Sequence, residues 1–187
     1  GVALGGSGVN ATNRIGVDAK AFIDGDGGGQ DEGIYADEIS LHAEDSSSIN
    51  SIAAGVAVGI SLAGSTALSL SIGVSLSENL ITTNVASYIS NVSVLVTDGG
   101  DISITSRDRS AIQAFVVAAA VSASLGGSTG IALAGGGADA TNIILSTNNA
   151  YISDSVIGLH DNLAGAVEVA ADSVASIEAF VGGIAVS

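Results

Sequence analysis

The 187-residue chain contains no proline, cysteine, methionine or tryptophan, and only four Lys plus Arg stand against nineteen Asp plus Glu. Each shortage excludes something. A net charge of −15 leaves no basic surface to neutralise phosphates, so nucleic acid and anionic membranes are poor partners. Without cysteine there is no disulfide framework, which at this size and at 47% hydrophobic residues is compatible with a secreted protein that needs no cross-links. Without proline, every internal backbone N–H is available to a hydrogen-bond ladder. Three Phe and three Tyr are too few for the aromatic girdles of a membrane β-barrel. The lack of any methionine, an initiator included, is what a segment of a longer array would show.

What is present is repetition. "GVALGGSGVNATNRIGVDAKAFID" from Gly1, "LSIGVSLSENLITTNVASYIS" from Leu70 and "GIALAGGGADATNIILSTNNAYIS" from Gly130 are versions of one sentence. Asn13, Asn79 and Asn142 share a column, as do Phe22, Tyr88 and Tyr151, and "SSINSI", "SAIQAF" and "ASIEAF" put Ile52, Phe115 and Phe180 in another. The period is about 64 residues, giving copies at roughly 1–65, 66–129 and 130–187, and a fixed period means units that stack on one another. Length varies only at 24–33, 97–101 and 153–165, which marks outward loops.

Residues 49–77 and 110–138 carry no charge and are long enough to span a bilayer as helices. Their periodicity points elsewhere: Leu68, Leu70, Ile72, Val74 and Leu76 alternate with Ser69, Ser71, Gly73, Ser75 and Ser77, the pattern of a strand with two unlike faces. Bulky side chains fill an interior at ordinary sheet spacing, so the Leu/Ile/Val face is expected inside, and the Ser/Gly/Ala face is expected to admit a second sheet or a neighbouring molecule. Turns are expected at 62–67 and 125–130, where Gly supplies the backbone freedom. The predicted fold is all-β, an elongated parallel β-solenoid in which the asparagines bond copy to copy and the aromatic column stacks. In the same register Arg107 falls between Glu44 and Asp172, a cation between acids on neighbouring coils. The width of a coil, one broad turn or several rungs per repeat, stays open at this stage.

Among candidate sites, Asp24, Asp26, Asp31 and Glu32 gather four carboxylates among glycines, the hard oxygen donors that Ca²⁺ takes, with a solvated turn as the plain alternative. Asp98 with Asp101, and Asp154 with Asp161, are weaker echoes. His42 and His160 lie in different columns without a second ligand at metal spacing and are expected to be surface histidines. Asp37, Glu38 and His42 could be imagined as an acid–base cluster, but repetition opposes a catalytic constellation, which breaks the pattern of its scaffold. No enzyme activity and no cofactor other than Ca²⁺ are expected.

With "NATNRIGVDAKAFID", "DISITSRDRSAIQAFVVAAAVSASLGGSTGIALAGGG" and "ATNIILSTNNAYIS" in view, the chain resembles the repeat region of very long bacterial surface proteins of the filamentous-haemagglutinin and leukotoxin-like adhesin type. That resemblance implies a secreted or cell-surface β-helical fibre and transfers no catalytic residue. The function expected is a non-enzymatic structural module that self-associates head to tail or laterally, without membrane insertion. The alternative is a calcium-stabilised extracellular module whose acidic loops contact a host receptor or glycan.

Overall fold

The computed structural model describes residues 1–26, 33–160 and 162–187, and among them there is strand and turn but no helix. Three strands form a front sheet: β1 (Val2–Asp24), β5 (Thr66–Ser90) and β8 (Thr129–Ser153), all parallel in the order β1-β5-β8. The back sheet is parallel too. Its central strand β7 (Ile102–Gly126) pairs on one side with β3 (Ile39–Asp45) and then β4 (Ser48–Ala63), and on the other with β9 (Val167–Val186). Short strands β2 (Ile34–Tyr35) and β6 (Leu95–Val96) pair at the corner between the sheets.

The chain alternates front, back, front, back, so one repeat makes one wide, flattened coil of two long strands. The architecture is a parallel β-solenoid, and no sheet closes into a barrel. Register is kept without a slip: β1 on β5 from Val2↔Leu68 to Asp24↔Ser90, and β5 on β8 from Thr66↔Thr129 to Ser90↔Ser153. The front strands end at one corner, where the next column holds Gly25, Asn91 and Asp154, all with positive φ (81°, 56° and 48°). Gly, Asn and Asp are the residues that adopt the left-handed region at least cost, so three different side chains serve one stacked turn. The opposite end of the coil is a two-residue turn, 64–65 and again 127–128, in which the Ser128 N–H donates to the Ser65 carbonyl at 3.0 Å.

The interior changes character across the width of the coil. Near the corner it is a conventional core of Ile39, Ile89, Val92, Leu95, Ile102 and Ile104, followed by Ile49, Ile81 and Ile112. From there to the two-residue turn it is lined mostly by Ser, Ala and Gly, with Val9, Val116 and Val181 as the larger inward side chains. Ser69, Ser71 and Ser75 are fully buried, whereas Ile72 is 49% and Val74 38% exposed. This corrects the expectation for the alternating strand: over this half the bulky face is outside and the small face inside. The turn supplies the reason. Two linking residues span at most about 10 Å of chain, which only just reaches the usual ~10 Å between stacked sheets, so any bend brings the sheets closer than Leu or Ile would fit. A Cβ built on Gly73 would lie 2.6 Å from the Ala119 carbonyl oxygen, and one on Gly5 2.4 Å from that of Val58. Here backbone packs on backbone.

Candidate functional site

Several polar groups inside the thin half are tied across the gap, while the buried hydroxyls of Ser61 and Ser71 have no hydrogen-bond partner among the described residues. Ser122 Oγ donates to Ser69 Oγ at 2.8 Å, Ser75 Oγ donates to the Val117 carbonyl at 2.8 Å, and the Ser51 and Ser77 hydroxyls meet at 2.8 Å. At the junction with the thick half runs the asparagine ladder. Asn13 Nδ2 donates to Asn79 Oδ1 at 2.8 Å, and Asn79 Nδ2 donates to Asn142 Oδ1 at 2.7 Å and to Ser77 Oγ at 3.0 Å. Both bonds between copies run the same way along the axis, so the ladder has a direction. Outside, near the corner, the rings of Phe22, Tyr88 and Tyr151 stack at 5.1 and 4.9 Å; midway across the back sheet those of Phe115 and Phe180 stack at 5.0 Å, with Ile52 in register beneath Phe115.

Charged side chains concentrate in the thick half and its corner, with Asp139 beside Leu76 on the thin half's front face. Arg107 reaches Asp172 at 3.6 Å, but Glu44, its register partner on the other side, pairs instead with Arg109 at 3.2 Å and with His42 at 3.3 Å. These exposed pairs report register more than they stabilise. His42 bonds Thr105 through Nδ1 at 2.8 Å and Glu44 through Nε2, so neither ring nitrogen is directed to Asp37 or Glu38. His160 stands in a positive-φ turn. Sequence reasoning passed over Asp108, which is fully buried between the sheets. Its carboxylate accepts from Thr83 Oγ1 at 3.1 Å, from Ser110 Oγ at 2.9 Å and from Ser146 Oγ. The signal was its place in the inward phase of Ile102, Ile104 and Ser106.

Of the four carboxylates singled out for calcium, Asp31 and Glu32 lie outside the described residues, as does Asp161 of the weaker pair. Asp24 and Asp26 are joined to the next coil: Asp24 Oδ1 accepts from Ser90 Oγ and Asn91 Nδ2, both at 2.8 Å, and Asp26 Oδ2 accepts from the N–H of Ser93 at 2.6 Å and from its hydroxyl. The Asn91 and Ser90 donors hold the Asp24 carboxyl below its ordinary value of 3.8. Asp101 Oδ1 accepts from the Ala166 N–H at 2.8 Å. Among the described residues no group of three or more His, Asp or Glu side chains could hold a metal. The acids there work as corner fasteners between coils.

The largest unexplained surface is apolar. On the back sheet every outward residue from Ile52 to Leu62, Phe115 to Leu125 and Phe180 to Val186 is Ile, Leu, Val, Phe, Ala or Gly. The front sheet carries a shorter apolar stretch, Val2, Leu4, Leu68, Leu70, Ile72, Val74, Ile131 and Leu133, bounded by Asn10 and Asp139. No helix in the described residues is long and apolar enough to cross a membrane. The chain matches no protein-family model, no curated protein and no solved structure. The arrangement itself is therefore what bears on function: parallel coils in strict register, a directional ladder inside, and a blade with apolar outer faces.

Proposed function

We propose that this chain is a non-enzymatic structural module of a secreted or cell-surface fibre of the adhesin type, which lengthens and self-associates by stacking further coils along its axis. The observation that carries this reading is the unbroken register of three copies, in which each coil templates the next through backbone ladders and through the Asn13–Asn79–Asn142 series. A further coil placed on β8 would find Asn142 Nδ2 as the next donor, and one placed below β1 would find Asn13 Oδ1 as the next acceptor. The long outer strands carry no proline and no inward-pointing charge over the thin half, so the devices that normally block strand addition are missing there. The resemblance to surface-adhesin repeats supports an extracellular setting. Electron microscopy of concentrated protein tests the reading: rods with a ~4.8 Å axial repeat are expected, and compact particles that never elongate would refute it.

A further inference from the structure

We infer that the blade's two apolar faces bind each other between copies, the front face of one molecule lying on the back face of the next, so that fibres or segments layer sideways. This rests on the reading of a self-associating structural module, yet it concerns a direction at right angles to the stacking axis.

The size of the faces is the first argument. Three rungs at about 4.8 Å give roughly 600 Å² of apolar sheet on the back, over about thirteen residues at 3.3 Å, and roughly 400 Å² on the front, where the apolar columns end at Val74 before Asn10 and Asp139. A pair of three-coil segments would bury ~800 Å², and each further coil adds to it, so that about five coils reach the ~1,200 Å² of specific stable complexes. Monomeric proteins rarely leave contiguous apolar patches beyond a few hundred Å² uncovered. In the thin half the serines have displaced the hydrophobic layer that two packed sheets normally share, and the same Leu, Ile and Val side chains stand ready to form that layer between molecules.

Relief on the two faces selects the occupant. On the front face the central rung projects Ile72 and Val74, while their register neighbours on both sides are glycines: Gly6 and Gly135, Gly8 and Gly137. On the back face one column inverts the pattern, with Ala119 between Val56 and Ile184, beside a level column of Val58, Val121 and Val186 and a column of the front face's own sense, Ala54, Val117 and Gly182. A ridge flanked by two hollows thus has, on the opposite side of the same molecule, a hollow flanked by two ridges. The solenoid does not need these glycines, since a Cβ at Gly6, Gly8, Gly135 or Gly137 would meet nothing within 4 Å and none of the four has a positive φ. Glycine within a strand costs about 0.5–1 kcal/mol relative to alanine, so its position where nothing intramolecular approaches marks a place where another surface does. Lipid chains would fill any relief and give no reason for hollows. A second copy uses them. Front-to-front pairing sets ridge on ridge at the same level, and a closed pair would leave each second face bare, whereas front-to-back contact is heterologous and repeats without limit.

The test sets fit against stickiness. Gly6→Leu/Gly135→Leu adds apolar surface while filling the hollows. Sedimentation velocity should show lateral association weakened at least tenfold with an unchanged circular dichroism spectrum, although the variant is greasier than its parent. Should that variant misfold, Val74→Lys/Val121→Lys, two outward positions on opposite faces, gives the second reading and should also abolish layering. Association unchanged or strengthened in both variants overturns the inference, and so does flotation of the unaltered protein with neutral phosphatidylcholine vesicles, which would give the faces to lipid. Micrographs separate this outcome from that of the axial reading: rods one blade thick mean that lateral contact fails while stacking holds, and broad layers one segment tall mean the reverse.

Discussion

Replacing Gly73 with alanine adds one methyl group at the centre of the thin half, and the cost follows from the gap. The new Cβ would lie 2.6 Å from the Ala119 carbonyl oxygen and 3.3 Å from its carbon, and both contacts are backbone, so no side chain can rotate away. Restoring an ordinary contact requires the sheets to part by about 0.8 Å, which would carry the 2.8 Å bonds Ser69–Ser122 and Ser75–Val117 beyond bonding distance. Two such bonds at ~1 kcal/mol each, with the strain of an overfilled interior at ~1–3 kcal/mol, place the loss near 3 kcal/mol. Gly137→Ala is the control. It faces open space, and removing glycine's flexibility should stabilise by about 0.5–1 kcal/mol. Urea denaturation followed by circular dichroism, at concentrations too low for assembly, should then separate the two midpoints by about 1–2 M, taking a slope of roughly 2 kcal/mol per molar. Equal midpoints would refute the claim that the sheets touch backbone to backbone.

Other outcomes follow from the same geometry. Asn79→Ala should cost about 1–2 kcal/mol, because it removes two ladder bonds at the half-buried Asn13, which keeps its bond to Ser51, and at the half-buried Asn142; a thermal or urea midpoint at the parent's value would remove the ladder from the list of stabilising features. Asp24 has a folded pKa below its unfolded one, so its contribution is present above the unfolded value near 3.8 and is lost as pH falls through the folded value. Asp24→Asn should therefore flatten that part of the acid limb of the stability curve, and an unaltered limb in a pH titration of the midpoint would contradict the hydrogen bonds from Asn91 and Ser90. Since Asp24 and Asp26 are already engaged with the next coil, millimolar Ca²⁺ should leave the melting midpoint unmoved; an upward shift of several degrees would return the corner to the metal-binding reading.

Period and register were open to sequence reasoning because identical side chains one coil apart must coincide for a ladder to form, and Asn13, Asn79 and Asn142 show this without any coordinates. The alternation of Leu68 to Ser77 likewise gave strand in place of helix. It could not tell inside from outside, because the spacing between sheets is set by the length of the turn at 64–65 and not by the strand. The informative residues were Gly55, Gly59 and Gly73, which share a phase with the serines: in a gap this narrow a residue without a Cβ is required. Asp108 shares the inward phase of Ile102, Ile104 and Ser106. Three hydroxyl donors make its burial tolerable, and two of them, Thr83 and Ser146, come from the other sheet.

One broad turn per repeat has a mechanical side. A rod of this kind rises only about 4.8 Å for each coil it adds, yet each coil stores some sixty-four residues, or ~200 Å of extended chain. Tension on the chain ends would peel coils singly, every step paying out some forty times the height it removes from the rod. A tether so wound would yield to a sharp pull by lengthening in uniform increments before anything at its far end had to let go.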